Sequence, residues 1–389
     1  MGVYSEYLET LAGYSSIVAE RKKQLQRIMD KRKRSILTIA SDLSGRPDKA
    51  NAPIGIDHTD LLAVADQIDS LSGEAVDVVL ETPGGLAERA EDIVRMIRNK
   101  FESVAFIVPG AAMSAGTIMV MSGDEILLEP SSSLGPIDAQ VFVAGKNFSA
   151  EAFLTGLEKI KEEVERTGSL NRAYIPILQG ISPGEIQACQ NAQDFSKKLV
   201  SAWLAKWKFR TWTTHVSSGK SVTEREKKQR AATVARQLCK HSHWLTHSRS
   251  IKLDDLRAMR LKITDYTQDP DLCDAIRRYH VLIRMGFEAT NMYKLFETPT
   301  TQIQRFLATV IAAPTQADQA KVAHIDYACP RCAKITRIQA NLGEKNPTQQ
   351  GNVAFPADNK FRCPNCGLEA DLSNLRKQIE AQSKKPVVF

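Results

Sequence analysis

"VPGAAMSAGTIMVMSGDEILLEPSSSLGPID" spans residues 108–138, and its reading decides the fold. A run of small residues presents one hydroxyl, Ser114, between Met113 and Ala115, with Gly110 and Gly116 on either side. The chain then passes at once into an apolar, helix-like segment. A serine on a sharp strand-to-helix turn is how an α/β hydrolytic site exposes its nucleophile. The competing reading is a tight turn that needs small residues and nothing more.

Working outward, "SVAFIVPG" (103–110) reads as the strand that feeds this turn, and "DEILLEP" (124–130) as the strand that follows it. Upstream, strand "AVDVVLET" (75–82) leads through "PGG" to helix "LAERAEDIVRMIRNK" (86–100). Before that come the β-branched run at 35–41 and helix "HTDLLAVADQIDSL" (58–71), with Asp57 or Thr59 as candidate caps. Strands alternating with helices over about 100 residues predict a parallel α/β core with crossover connections. In such a sheet, successive strands deliver their carboxyl ends to one edge. The two glycine-bearing turns, "ETPGG" (81–85) and "GAAMSAG" (110–116), are therefore expected to meet there. Acyl transfer needs a nucleophile and two donors aimed at the developing oxyanion. Ser114 supplies the first; the Ala115 N–H and one from Gly84 or Gly85 are candidates for the second.

The 389 residues allow two or three domains, and a composition of 43% hydrophobic and 25% charged residues is that of a soluble protein. No apolar run reaches the roughly 18 residues of a membrane span, and the first residues carry neither a signal-peptide pattern nor a myristoylation pattern. A cytosolic location is expected, and no membrane partner. Charge is uneven within the net +7. Residues 51–100 hold ten Asp/Glu against four Lys/Arg, whereas 201–250 hold eleven Lys/Arg against two Glu. A basic face of this kind is ordinarily solvated, and by itself it names no nucleic-acid partner.

Five segments follow. Residues 1–34 read as an N-terminal helical arm with a basic end, 35–210 as the α/β core and 211–297 as a helical extension. A linker rich in Thr, Gln and Ala is expected at 298–325, and a small C-terminal module at 326–389. Trp203 and Trp207, four residues apart, share a helix face and read as a packing seam rather than a base-stacking one. Thr223 and Glu226 have capping-box spacing. The segment they open, followed by "IKLDDLRAMRLKI", has a faint helix-turn-helix pattern with no defined recognition helix.

"TPGG", "AMSAGT" and "DEILLEPSSSLGPID" together resemble the ClpP/crotonase superfamily on its peptidase side, alongside Clp proteases and signal peptide peptidase A. The nearest resemblance is to the serine dehydrogenase proteinase family. It is strong over about residues 75–140 and looser over 173–204 and 243–256. It implies a ClpP/crotonase-like core and a serine peptidase acting on unfolded or flexible polypeptide. It also implies a homo-oligomer, Ser114 as nucleophile, and Gly85 and Ala115 as oxyanion donors.

The general base departs from the pattern. A serine must pass its proton to a neighbour in order to attack. Clp proteases have a histidine soon after the serine, but this chain has none between His58 and His215; "GPIDAQ" offers Asp138 instead. Relatives with a Ser–Lys dyad use a lysine neutralised by burial, some tens of residues downstream. That window holds Lys146, Lys159 and Lys161, of which Lys159 is the expected base. His247, entering from the helical region, is the other candidate. Asp138 reads either as the partner of a base or as a turn-closing aspartate.

Of seven cysteines, four form "CPRC" (329–332) and "CPNCG" (363–367), two Cys-x-x-Cys knuckles 30 residues apart. This is the spacing of a structural zinc ribbon, with Cys329, Cys332, Cys363 and Cys366 as ligands. Zinc then supplies folding energy that so small a module cannot draw from its core. A partner protein or a nucleic acid is a candidate occupant of the ribbon. Cys189, Cys239 and Cys273 read as buried thiols. Two readings compete with the peptidase: a crotonase-type acyl-CoA enzyme, and a non-catalytic scaffold that binds through the ribbon. No P-loop is present, so ATP-driven unfolding of substrate is not expected of this chain.

Overall fold

A computed structural model describes residues 2–143, 146–215, 218–307 and 321–389. The chain divides into two units, Met1–Leu307 and Ala308–Phe389.

The first unit opens with helices α1 (Val3–Thr10) and α2 (Tyr14–Arg32), followed by strand β1 (Ser35–Ser41), helix α3 (Asp60–Asp69), β2 (Ala75–Glu81), α4 (Ala87–Lys100) and β3 (Ser103–Val108). The serine stretch folds as β4 (Ala111–Ala112), α5 (Ala115–Val120), β5 (Glu125–Leu128) and β6 (Ser133–Leu134). A hairpin, β7 (Gln140–Val143) and β8 (Lys146–Ser149), precedes α6 (Ala150–Thr167), α7 (Ile175–Gln179), α8 (Pro183–Trp203), α9 (Glu224–Cys239), α10 (His241–Trp244) and α11 (Leu253–Ala258). The unit closes with β9 (Thr264–Asp265), α12 (Pro270–Ala289), β10 (Met292–Glu297) and β11 (Gln302–Phe306).

The fold is mixed α/β. Seven strands lie in the order β11-β10-β1-β2-β3-β5-β9. Those from β1 to β9 run parallel, while β10 and β11 form an antiparallel edge. Strand β2 is buried almost throughout, as expected for a parallel strand covered on both faces. Its side chains alternate: Val76, Val78 and Leu80 pack toward the face that carries α3, α4, α5 and α8, whereas Val79 packs toward α2 and α12. Helix α4 shows why the crossovers form. Ala90, Ile93, Val94 and Ile97 recur at helical spacing and are buried, and Arg98 and Lys100 oppose the dipole at its last turn. Helix α8 starts at a capping box, Ser182 with Glu185, with Pro183 at its first position.

Three sequence expectations are corrected here. Residues 1–34 are not an arm: Leu25 and Ile28 are fully buried against the sheet. The basic end of α2 turns inward, with Arg32 bridging Asp77 at 2.7 Å and Glu125 at 2.7 Å. Buried Asp77 on β2 and partly exposed Glu125 on β5 take up its charge. The helical extension at 211–297 ends in β10, which pairs with β1 at Thr38↔Glu297, so it completes the main sheet. The expected linker begins too early, because residues 302–306 form edge strand β11; residues 308–320 of it lie outside the described residues. A polar sequence such as "TQIQRF" suits an edge strand, whose side chains stay partly in water.

The second unit pairs β12 (Val322–Ala328) with β13 (Ile335–Leu342) as a hairpin, flanked by β14 (Val353–Ala354). A second hairpin joins β15 (Lys360–Arg362) to β16 (Glu369–Asp371). Helix α13 (Ser373–Ser383) then returns to β17 (Val387–Val388), which pairs with β13. Its core is small, built on Ile338, Leu342, Phe355, Phe361 and Val387.

Candidate active site

At the carboxyl edge of the parallel sheet the two glycine turns meet, as their positions after β2 and β3 required. They are laced by backbone bonds: the Thr82 N–H donates to Ala111 O at 2.9 Å and the Met113 N–H to Thr82 O at 3.0 Å. Gly84 has φ +107° and Gly85 φ +142°, conformations that side chains disfavour. A Cβ on Gly84 would lie 2.7 Å from the Ser114 Cβ, and one on Gly85 only 2.3 Å from the Ile56 nitrogen. The absence of side chains is what allows this turn to sit against the serine.

Ser114 precedes α5 with φ 49° and ψ −114°, outside the regions an L-residue ordinarily occupies. Such strain costs on the order of 1–3 kcal/mol and persists where the surroundings over-determine it. Here they do: Thr117 Oγ1 donates to Ala112 O at 2.8 Å and accepts the Gly135 N–H at 2.9 Å, clamping both sides of the turn. Neither the Gly85 nor the Ala115 N–H donates a hydrogen bond within the described residues. Both residues line a cleft of about 370 Å³ together with Ser114.

The same cleft is lined by Asp138 and His247. Asp138 is buried, and its Oδ1 lies 2.7 Å from His247 Nδ1. Its Oδ2 lies 2.8 Å from His241 Nδ1 and accepts from Gln140 Nε2 at 2.9 Å. Burial alone would raise the Asp138 carboxyl; the hydrogen bonds and charge of His247, then of His241, outweigh it and hold the group below the usual carboxylate range. A carboxylate only accepts, so each imidazole presents Nδ1–H to it. On His247 this tautomer leaves Nε2 as the basic nitrogen.

The histidines lie 103 and 109 residues beyond Asp138. They are brought in by pairing of the segment after β6 with the chain around α10. Ile137 N–H donates to Leu238 O at 3.0 Å, and Leu134 and Ile251 exchange bonds at 3.0 and 2.8 Å. Helix α8 adds Ala192, Phe195 and Ser196 to the cleft wall, and Leu86, Ile118 and Ile137 give it an apolar side beside the polar Glu88, Asp138 and Gln140.

Lys159, the expected base, is exposed on α6 and does not line the cleft. Only Ala150 of α6 is buried, so this helix offers its lysines to water rather than to the site. Lys146 is exposed on β8. Lys161 pairs with Glu158 at 3.0 Å, which raises its pKa, the opposite of what a neutral base needs. Sequence spacing favoured these lysines because the window downstream of the serine holds no histidine. The signals pointing to His247 were the histidine-rich "HSHWLTHS" and the loose family resemblance over 243–256. Trp203 and Trp207 form the expected seam, with ring centroids 5.8 Å apart and Trp203 buried.

In the second unit, Cys329 Sγ lies 3.6 Å from Cys366 Sγ and Cys332 Sγ 3.7 Å from Cys363 Sγ, with all four within 4.8 Å of one another. A tetrahedral zinc with bonds of about 2.3 Å has S···S edges of about 3.8 Å, whereas a disulfide would need about 2.05 Å. The four thiols therefore fit a metal and not two disulfides. Each pair sits in a hairpin turn of the same build. Ala333 N–H donates to Cys329 O at 2.9 Å, and Gly367 N–H to Cys363 O at 3.0 Å. Cys189, Cys239 and Cys273 are buried, as read from sequence.

Residues 9–170 match the family model of the ClpP-like SDH-type serine proteinases. Over this segment the chain is similar to that family. The match includes Ser114 and Asp138 and stops short of His247. Two uncharacterized proteins of Methanocaldococcus jannaschii are similar, one 31% identical over 141 residues and the other 25% over 135. The alignments cover 36% and 33% of this chain and 46% of each relative, so the chain spans less than half the length of these relatives. Among solved structures, a membrane-bound stomatin-specific protease is 14% identical with a TM-score of 0.33, covering 57% of this chain and 79% of that one. ClpP1 from Listeria monocytogenes is 12% identical with a TM-score of 0.30, covering 62% and 95%. Among the described residues, no helix is long and apolar enough to cross a membrane.

Proposed function

We propose that this chain is a serine peptidase in which Ser114 is the nucleophile, His247 the general base and Asp138 its orienting carboxylate. The observation that carries this reading is the joint lining of one cleft by the strained Ser114 and by a histidine bonded to buried Asp138. The Ser114 hydroxyl passes its proton to His247 Nε2 as Oγ attacks a peptide carbonyl. The Gly85 and Ala115 amides receive the oxyanion. The proton then leaves with the amine, and water releases the acyl group by the same route. A serine on this turn favours acyl transfer over the hydration chemistry of a crotonase, which wants carboxylates placed there. A cleft with both apolar and polar walls suits an extended, flexible polypeptide, which offers side chains and backbone amides together.

The four cysteines are proposed to hold a structural zinc, whose contribution is folding energy and not catalysis. A homo-oligomer rests on the family resemblance. It is supported by the exposed apolar side chains Phe142, Ile175 and Ile177 around α6 and α7; sedimentation equilibrium reads it directly.

Cleavage of unfolded casein tests the core of the proposal. Wild type is expected to cut, Ser114→Ala and His247→Ala to lose about 10³-fold or more in kcat/KM, and Lys159→Ala to stay within about twofold. Loss with Lys159→Ala and retention with His247→Ala would return the base to the lysine.

A further inference from the structure

Asp138 serves two histidines, and only His247 lines the cleft. His241 is held from its other side. Its backbone N–H donates to Glu151 Oε2 at 2.7 Å, and the adjoining Ser242 hydroxyl donates to Glu151 Oε1 at 3.4 Å. Glu151 stands in the first turn of α6, so the backbone at His241 is anchored by a contact between α6 and α10 while its ring is held by Asp138. We propose that His241 is a positioning residue that holds Asp138 for His247 and, by drawing on the same carboxylate, lowers the proton affinity of His247. This rests on the reading of Ser114, His247 and Asp138 as one catalytic unit.

The physical basis is competition for one charge. A carboxylate that accepts from two imidazoles and from Gln140 offers each donor less negative potential than it would offer one. A proton on His241 also stands one carboxylate away from His247 and opposes a second proton there, so the pair titrates as a coupled unit. The charged and titratable groups facing His241 are Asp138, His247 and Glu151, with the Cys239 thiol beside them under the field of Lys197 from α8. Glu88, on the cleft wall, is the further carboxylate near His247. The consequence is a base that stays neutral, and a serine that stays reactive, to lower pH than a simple pair allows.

Two readouts on the full-length protein test this. Ring-labelled histidine NMR follows the titration of His247, assigned through His247→Gln, in wild type, His241→Ala and His241→Asn. Labelling of Ser114 by a fluorophosphonate follows nucleophile reactivity against pH. In His241→Ala the His247 midpoint is expected to rise by about half a pH unit or more, and the acid limb of labelling to move with it. His241→Asn, which returns an N–H donor, should recover part of the shift; His241→Leu, which also lacks a donor, takes the place of the alanine variant if that fails to fold. An unchanged midpoint in His241→Ala, even with a lowered Tm, would reduce His241 to structural support and overturn the proposal. A shifted midpoint together with labelling that survives Ser114→Ala would instead break the catalytic reading and leave the coupling standing.

Discussion

The serine cleft and the four-cysteine cluster are built on opposite plans. Each pair of cysteines lies within one hairpin turn, four residues from end to end, and the two turns close with the same backbone bond. The cleft collects Gly85, Ser114, Asp138, Ala192 and His247 from five separate stretches of chain. Local geometry made the first site, and packing of a seven-stranded sheet with its helices made the second. What the difference teaches is where each site is fragile. The cysteine cluster has only a small hydrophobic core around it, so the proposed zinc would carry much of its stability. The cleft depends on backbone approaches that a single Cβ destroys.

Chelation should separate the two most strongly. Removing the metal from the full chain with phenanthroline or EDTA is expected to unfold the second unit, since structural zinc contributes on the order of 10 kcal/mol. Fluorophosphonate labelling of Ser114 should persist. Loss of both signals together would mean that the units do not stand independently. Next in size, Gly85→Ala and Gly84→Ala should each cost several kcal/mol or abolish labelling, because their added Cβ meets the Ile56 backbone or the Ser114 side chain within 3.0 Å. Normal labelling in both would show that the turn can move away from the serine.

Ser114→Gly is expected to stabilise the first unit by about 1 kcal/mol while removing all labelling, because glycine accepts φ 49° without strain. A lower Tm than that of Ser114→Ala would contradict stored strain.

The smallest effect concerns Lys208, nearly buried beside Asp124 and donating to its carbonyl at 3.3 Å. Burial lowers its pKa from 10.5 to about 8. The unfolded chain then keeps a proton that the folded chain has lost, so stability should rise with pH between about 8 and 10.5 and be flat in this respect below 8. Lys208→Met should remove that rise and lift Tm by a few degrees at neutral pH, about 1 kcal/mol of relieved desolvation. An unaltered pH slope in a thermal melt series would show that the lysine stays charged.

Much of this was legible in the sequence, because the informative features were local. Alternation at 35–41, 75–82 and 103–110 marked parallel strands, and their order alone implied that the PGG and Ser114 turns would share one sheet edge. Ser114, Gly85 and Ala115 were readable from two short turns, and the cysteines from spacing. Local pattern misled where the deciding contact was distant. Residues 1–34 looked like an arm until Leu25 and Ile28 were seen buried against the sheet, and "TQIQRF" looked like linker until β10 was seen to pair with it.

By itself, then, the sequence determined the α/β class, the strained serine turn and the cysteine knuckles, since each follows from backbone chemistry within about ten residues. Only the tertiary structure shows which basic group lines a cleft with the serine. Lys159 and His247 are equally free in one dimension. The pairing of Leu134 with Ile251 and of Ile137 with Leu238 brings the histidine onto a buried carboxylate, while α6 leaves the lysine in water. No spacing rule encodes a contact that closes over 109 residues through the packing of the elements between.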